Sequence, residues 1–149
     1  MILKIFKAVW FLSLLATLAV FMYVYASLPE QVRISVGAND LSFSREAVFY
    51  LVLAITALFN MMVFVFVRLY AKGADAFLTW FFGLIISLNL FFIILLGFIN
   101  LYNSNERFDY ERLGALIYGS LGLVVLWTAS WPVGVLVRKF FAQKPVLQK

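Results

Sequence analysis

The chain has no cysteine and no histidine among its 149 residues. That excludes disulfides, thiolate nucleophiles, cysteine-bound iron–sulfur clusters, histidine-ligated haem and the usual zinc sites. Charge is scarce as well: Asp, Glu, Lys and Arg make up 13% of the residues, against about a quarter in soluble domains. No helix-length apolar run carries an ionisable group away from its ends, which argues against a proton-coupled antiporter or a voltage sensor. No catalytic, cofactor-binding or metal-binding residue stands out, and no cofactor is expected. In a soluble protein the formal charge of +5 would point to nucleic acid. Here the distribution of that charge points to orientation in a bilayer, so no nucleic-acid partner is expected.

Apolar residues are abundant. The chain is 65% hydrophobic with 17 Phe, and its mean hydropathy is +1.01. A membrane-crossing helix needs about 20 predominantly apolar residues. Four runs qualify: Ala8 to Gln31 (interrupted only by Glu30), Ala47 to Val67, Ala76 to Asn105, and Leu113 to Val137. Trimmed at their polar ends they predict helices at roughly 8–26, 46–69, 76–101 and 112–137. The linkers are too short for a second domain, so residues 1–149 read as a single membrane domain. The expected fold is an all-α membrane protein, a four-transmembrane-helix bundle with a short β-hairpin-like loop between helices 1 and 2.

Lys72-Gly73-Ala74-Asp75 offers a glycine to end helix 2 and an aspartate to cap helix 3, predicting an antiparallel pair. Ser44 and Asp109 are cap candidates for helices 2 and 4, with Glu46 and Glu111 in their first turns. Orientation follows from Lys and Arg in short loops. Lys4, Lys7, Arg68, Lys72, Arg138, Lys139, Lys144 and Lys149 fall on one side, Arg33, Arg45, Arg107 and Arg112 on the other. Eight against four predicts both termini in the cytoplasm and an extracytoplasmic hairpin. Lys4 and Lys7 before an apolar run imitate a secretory signal, but the run of about 18 residues exceeds a typical signal core, so a retained helix is expected. The small size and retained first helix suit a bacterial inner membrane.

In the 1–2 loop, Gln31-Val32-Arg33-Ile34-Ser35-Val36 and Leu41-Ser42-Phe43-Ser44 alternate polar and apolar residues around Gly37-Ala38-Asn39-Asp40. That pattern predicts a hairpin. It serves either as a lid on its own helix ends or as a docking surface built on Arg33, Asn39 and Asp40, joined by Phe108 and Tyr110 of the 3–4 loop. An aromatic stretch, then Leu28-Pro29-Glu30-Gln31-Val32, then Ser44 before an apolar helix resembles the Leu-Pro loop of SdpI-type bacterial immunity membrane proteins. The resemblance covers about residues 22–50. It lacks the apolar-His-aromatic-Asn stretch usual in those proteins, so it implies a bacterial membrane accessory role and carries over no site.

Inside the runs, Asn60 lies 13 residues before Gly73 and Asn89 lies 14 after Asp75, similar depths on adjacent helices. Their side chains are expected to meet, as a structural clasp or as a polar ligand site. Helix 4 carries Ala115, Gly119, Gly122, Ser130 and Gly134, small residues that permit close helix approach within the bundle or against another subunit. Trp131-Pro132 frees the carbonyl of Thr128, with the hydroxyls of Thr128 and Ser130 near enough to compensate. Trp10, Trp80 and Tyr70 read as one interfacial aromatic belt, and Tyr23, Tyr25, Tyr50 and Tyr102 as the other. Arg138, Lys139 and the following basic residues suit anionic lipid headgroups.

The pattern as a whole reads as a non-catalytic membrane subunit or scaffold. Its expected partners are membrane lipids and another integral membrane protein or a second copy of itself. The alternative is a small-solute or lipid-handling transporter or channel component with a polar site near Asn60 and Asn89. Because the chain lacks cysteine, its orientation can be read by single substitutions. A membrane-impermeant maleimide should label Ser42→Cys in intact cells and Gln143→Cys only after permeabilisation; the reverse pattern would invert the topology.

Overall fold

The computed structural model describes residues 1–36, 39–70, 73–104 and 110–142. Helices α1 (Ile2–Ser27), α2 (Arg45–Leu69), α3 (Asp75–Asn103) and α4 (Tyr110–Ala142) make up most of it, and strands β1 (Gln31–Val36) and β2 (Asn39–Ser44) lie between α1 and α2. All four helices are long and apolar enough to cross a membrane. Helix α1 begins at Ile2 and takes in Lys4 and Lys7, and α4 runs past Val137 to Ala142, so both exceed the predicted spans. Lysine and arginine form helix readily while their stems cover apolar surface, so hydropathy marks the end of an apolar run and not of its helix.

The end signals are met unevenly. The Ser44 hydroxyl accepts from the Ala47 N–H at 3.2 Å and caps α2. Gly73 takes φ +85°, a left-handed turn that suits glycine. Asp75 departs from the expected role: it is the first helical residue, Ala74 occupies the cap position, and no side chain closes it. As a first-turn acid it still meets the positive end of the helix dipole. Asp109 lies outside the described residues.

Helix α3 is the centre. Of its most apolar stretch 44% is buried, against 6% for α4, which decides that the all-apolar run Leu90 to Leu96 belongs to a hub helix. Its buried residues Leu78, Phe82, Ile85, Asn89, Phe92, Leu96 and Ile99 alternate spacings of four and three. That 3.5-residue period draws a straight seam along a helix. Helix α1 answers it with Phe6, Trp10, Ser13, Thr17, Phe21 and Val24. Contacts rise together along both helices, from Lys7 over the Phe82 ring, through Thr17 beside the Asn89 carbonyl, to Ser27 beside Asn100, so α1 and α3 run parallel.

Helix α4 joins α3 through a reciprocal tryptophan pair. The Trp80 indole N–H donates to the Trp127 carbonyl at 2.8 Å, and the Trp127 indole N–H donates to the Trp80 carbonyl at 2.9 Å. Trp127 fits because residue 83 is glycine: a Cβ there would overlap its indole. Trp131 adds edge contact to Phe77 at 5.3 Å between ring centres. Helix α2 meets α3 through Phe66 on Phe81 at 4.4 Å and Phe59 on Phe92 at 6.4 Å.

The hairpin is antiparallel, with Val32 opposite Phe43 and Ile34 opposite Leu41. Val32 is fully buried with Leu28, Val48 and Ile99, so one face of the hairpin completes a core over the helix ends. Gly83→Ala should destabilise the protein by about 1–3 kcal/mol, the usual cost of overpacking, in a denaturation titration in mixed micelles. Gly119→Ala, whose Cβ would meet nothing within 4 Å, should not destabilise in the same titration and should gain up to about 1 kcal/mol from the better helix former.

Candidate functional site

Three features deserve chemical scrutiny: a polar cluster at mid-height, an apolar cleft beneath the hairpin, and the outer face of α4.

The polar cluster joins α1, α2 and α3. Asn60 donates from Nδ2 to the Thr56 carbonyl at 2.9 Å and to Asn89 Oδ1 at 3.1 Å. Its Oδ1 accepts from the Trp10 indole N–H at 2.9 Å. Asn89 donates to Ser13 Oγ at 2.9 Å and lies 3.4 Å from Asn60 Oδ1. The Ser13 and Thr17 hydroxyls donate back to the carbonyls of Trp10 and Ser13, each at 2.8 Å. Asn60, Asn89 and Thr17 are buried, so their polar groups need partners inside the protein. Each amide finds them, and the cluster presents no unfilled donor pattern that would select a solute. Thr56 Oγ1 and Arg45 Nε are buried without a hydrogen-bond partner; nothing in the packing explains either.

The structure therefore brings Asn60 and Asn89 together and adds Trp10, Ser13 and Thr17 of α1 to the pair. Trp10 and Trp80, expected in an interfacial belt, turn inward instead and spend their N–H groups on Asn60 and Trp127. A tryptophan near a helix end serves either role, and only the neighbouring helix decides which.

The hairpin is fastened to α3 by one side chain. Asn103 Oδ1 accepts from the Arg33 N–H at 2.7 Å, and Asn103 Nδ2 donates to the Arg33 carbonyl at 3.0 Å. The amide thus mimics one residue of a neighbouring strand along β1. The backbone N–H of Arg45 also donates to the Glu30 carbonyl at 2.9 Å, tying α2 to the start of the hairpin. These ties make the hairpin a lid on its own helix ends. Arg33 remains exposed. Phe108 and the side chains of Asn39, Asp40 and Tyr110 lie outside the described residues.

Between α2, α3 and α4 the lid roofs a cleft of about 650 Å³. Ala47, Leu51 and Ile55 form one wall, Leu95 and Phe98 the floor, Ile117 of α4 the far side, and Ile34 and Phe43 the roof. Arg33 is the one charged residue among the described lining residues. The lining otherwise has the apolar character and size common to small-molecule sites, about 300–1,000 Å³.

Helix α4 presents Ala115, Gly119 and Ser130 as exposed and Gly122 and Gly134 as half-buried. A Cβ added at Gly119, Gly122 or Gly134 would meet nothing within 4 Å. The α3–α4 contact described above rests on Gly83, Trp80, Trp127 and the Trp131–Phe77 pair. At Pro132 the Thr128 and Ser130 hydroxyls donate to the carbonyls of Val124 and Trp127 and so leave the Thr128 carbonyl without their help.

No family model, curated protein or solved structure matches the chain. Asn89→Leu should lower the unfolding free energy by about 1–3 kcal/mol, because it leaves one Asn60 N–H without its acceptor in an apolar interior. Asn60→Leu should act similarly. The double substitution should cost less than the sum, with a coupling of about 0.6–2 kcal/mol in a double-mutant cycle in detergent or bicelles.

Proposed function

We propose that the chain is a non-catalytic integral membrane subunit or scaffold that binds another membrane protein, or a second copy of itself, through the outer face of α4. The observation that carries this reading is the disposition of α4. One side is locked to α3 by the tryptophan pair, and only 6% of its most apolar stretch is buried. The face bearing Ala115 and Gly119 is exposed, and the Gly119 Cβ position opens into free space. In a bilayer, helices associate by close backbone approach at small residues, because lipid tails already solvate large apolar side chains. Glycine and alanine facing lipid forgo side-chain packing that a partner helix would restore.

The mid-height polar cluster supports the same reading by what it uses up. Asn60 and Asn89 bond one another and α1, which suits a structural clasp better than a transport site. The resemblance of the Leu28-Pro29 loop to SdpI-type proteins points to the same accessory class. In this reading both termini are cytoplasmic, the membrane is a bacterial inner membrane, and the hairpin with Arg33, Asn39 and Asp40 and the 3–4 loop with Phe108 and Tyr110 form the extracytoplasmic side.

The test is gentle nanodisc extraction, affinity purification and mass spectrometry of what accompanies the protein. A stoichiometric partner or a self-complex should be found, and Ala115→Leu with Gly119→Leu should abolish it while the thermal unfolding of the isolated chain stays unchanged. A chain that runs alone and cross-links to no polypeptide in intact membranes would sink the proposal.

A further inference from the structure

We infer that the cleft beneath the hairpin is a binding site for one acyl chain of an anionic phospholipid drawn from the surrounding leaflet, with the headgroup at Arg33. The inference rests on the placement of the four helices across a bilayer and is independent of the α4 partner face.

Three observations carry it. The first is depth. Along α2 the cleft runs from Ala47 to Ile55 and along α3 from Phe92 to Tyr102, about 12–15 Å at the helical rise per residue. That is half of the hydrocarbon core of about 30 Å. Its lower end is closed where Phe59 meets Phe92 and Asn60 bonds Asn89. A partner's transmembrane helix would have to continue through both leaflets and is stopped there. A lipid chain ends at mid-membrane and fits. The second is chemistry: apart from Arg33 and Tyr102 the described lining is hydrocarbon and phenyl, which suits an alkyl tail.

The third is charge at the mouth. Arg33 is the one cation among the described lining residues and is exposed at the lid. Its backbone is pinned by Asn103, and its guanidinium forms no ion pair among the described residues. An arginine held at the height where tails meet headgroups complements a phosphate, to which it can donate two parallel hydrogen bonds. Tail and head are thus recognised about one leaflet apart by the same cleft.

The probe is phosphatidylglycerol carrying a diazirine in one acyl chain, incorporated at a low fraction in phosphatidylcholine nanodiscs with the full chain. Irradiation and peptide mapping should place adducts on Leu51, Ile55, Leu95 and Phe98 above those on Leu126, an exposed α4 residue outside the cleft. Unlabelled phosphatidylglycerol should compete better than phosphatidylcholine, and Arg33→Gln should weaken that competition about tenfold, the scale of one charge-assisted contact. Ile55→Trp, which fills the cleft, should reduce the cleft adducts to the level of Leu126. Should Ile55→Trp fail to run as a monodisperse species, Ala47→Trp at the mouth makes the same test. Uniform labelling of all outward-facing positions, an unchanged pattern in the filled variant, or equal competition by both lipids would overturn the assignment. So would a cross-link from a cleft residue to another polypeptide in native membranes. A chain that runs alone and cross-links to no polypeptide, with cleft labelling intact, would sink only the subunit reading.

Discussion

Asn89 must be satisfied from two directions at once. It is buried near the middle of the most apolar helix, where an unpaired amide costs several kcal/mol in hydrocarbon. Its partners come from α1, through Ser13, and from α2, through Asn60, which in turn takes the Trp10 indole. This requirement sets the rotation of α3 and the register of both neighbours. Apolar side chains alone discriminate weakly between registers in lipid, because tails and neighbouring helices solvate them alike.

From that fixed rotation the remaining architecture follows. The seam facing α1 presents its four-three spacing, the flank with Gly83 is left to receive Trp127, and the Asn103 end points at the hairpin. Helix α2 is tied to α3 by the Asn60–Asn89 bond and by Phe66 on Phe81, and the cleft lies beside the two towards the hairpin. Helix α4, joined to α3 through Trp127 and Trp131, leaves most of its surface to its surroundings. Rigidity and availability are thus divided along the molecule: α1 and α3 form the invariant frame, while α2 and α4 supply the surfaces.

The residues that could be read in advance are those whose signal is local. Four apolar runs, the Ser44 cap, the Gly73 turn and the alternation of Gln31 to Val36 each depend on a few consecutive residues. Asn60 and Asn89 were visible because each is a polar break in an apolar run at equal distance from a shared turn. The α1–α3 pairing was not, because it joins helices that are not consecutive. Yet its trace is present in the spacing from Leu78 to Ile99, and period analysis of apolar runs would find it. Trp80 and Trp127 were hidden for a different reason. Tryptophan near a helix end has two good uses, and the choice lies with a glycine on the partner helix. The cleft has no sequence signature, since it arises from where a helix does not go.

The Asn103 clamp also orders events in time. Asn103 and Arg33 are separated by 70 positions, so the lid is anchored by a residue synthesised long after it. A two-stranded hairpin is marginal on its own, and closing so long a loop carries an entropy cost repaid only once the far contact forms. The hairpin is therefore made without its anchor and settles only when the last turn of α3 has folded. Until then the Arg33 N–H and carbonyl lack the partner that Asn103 supplies.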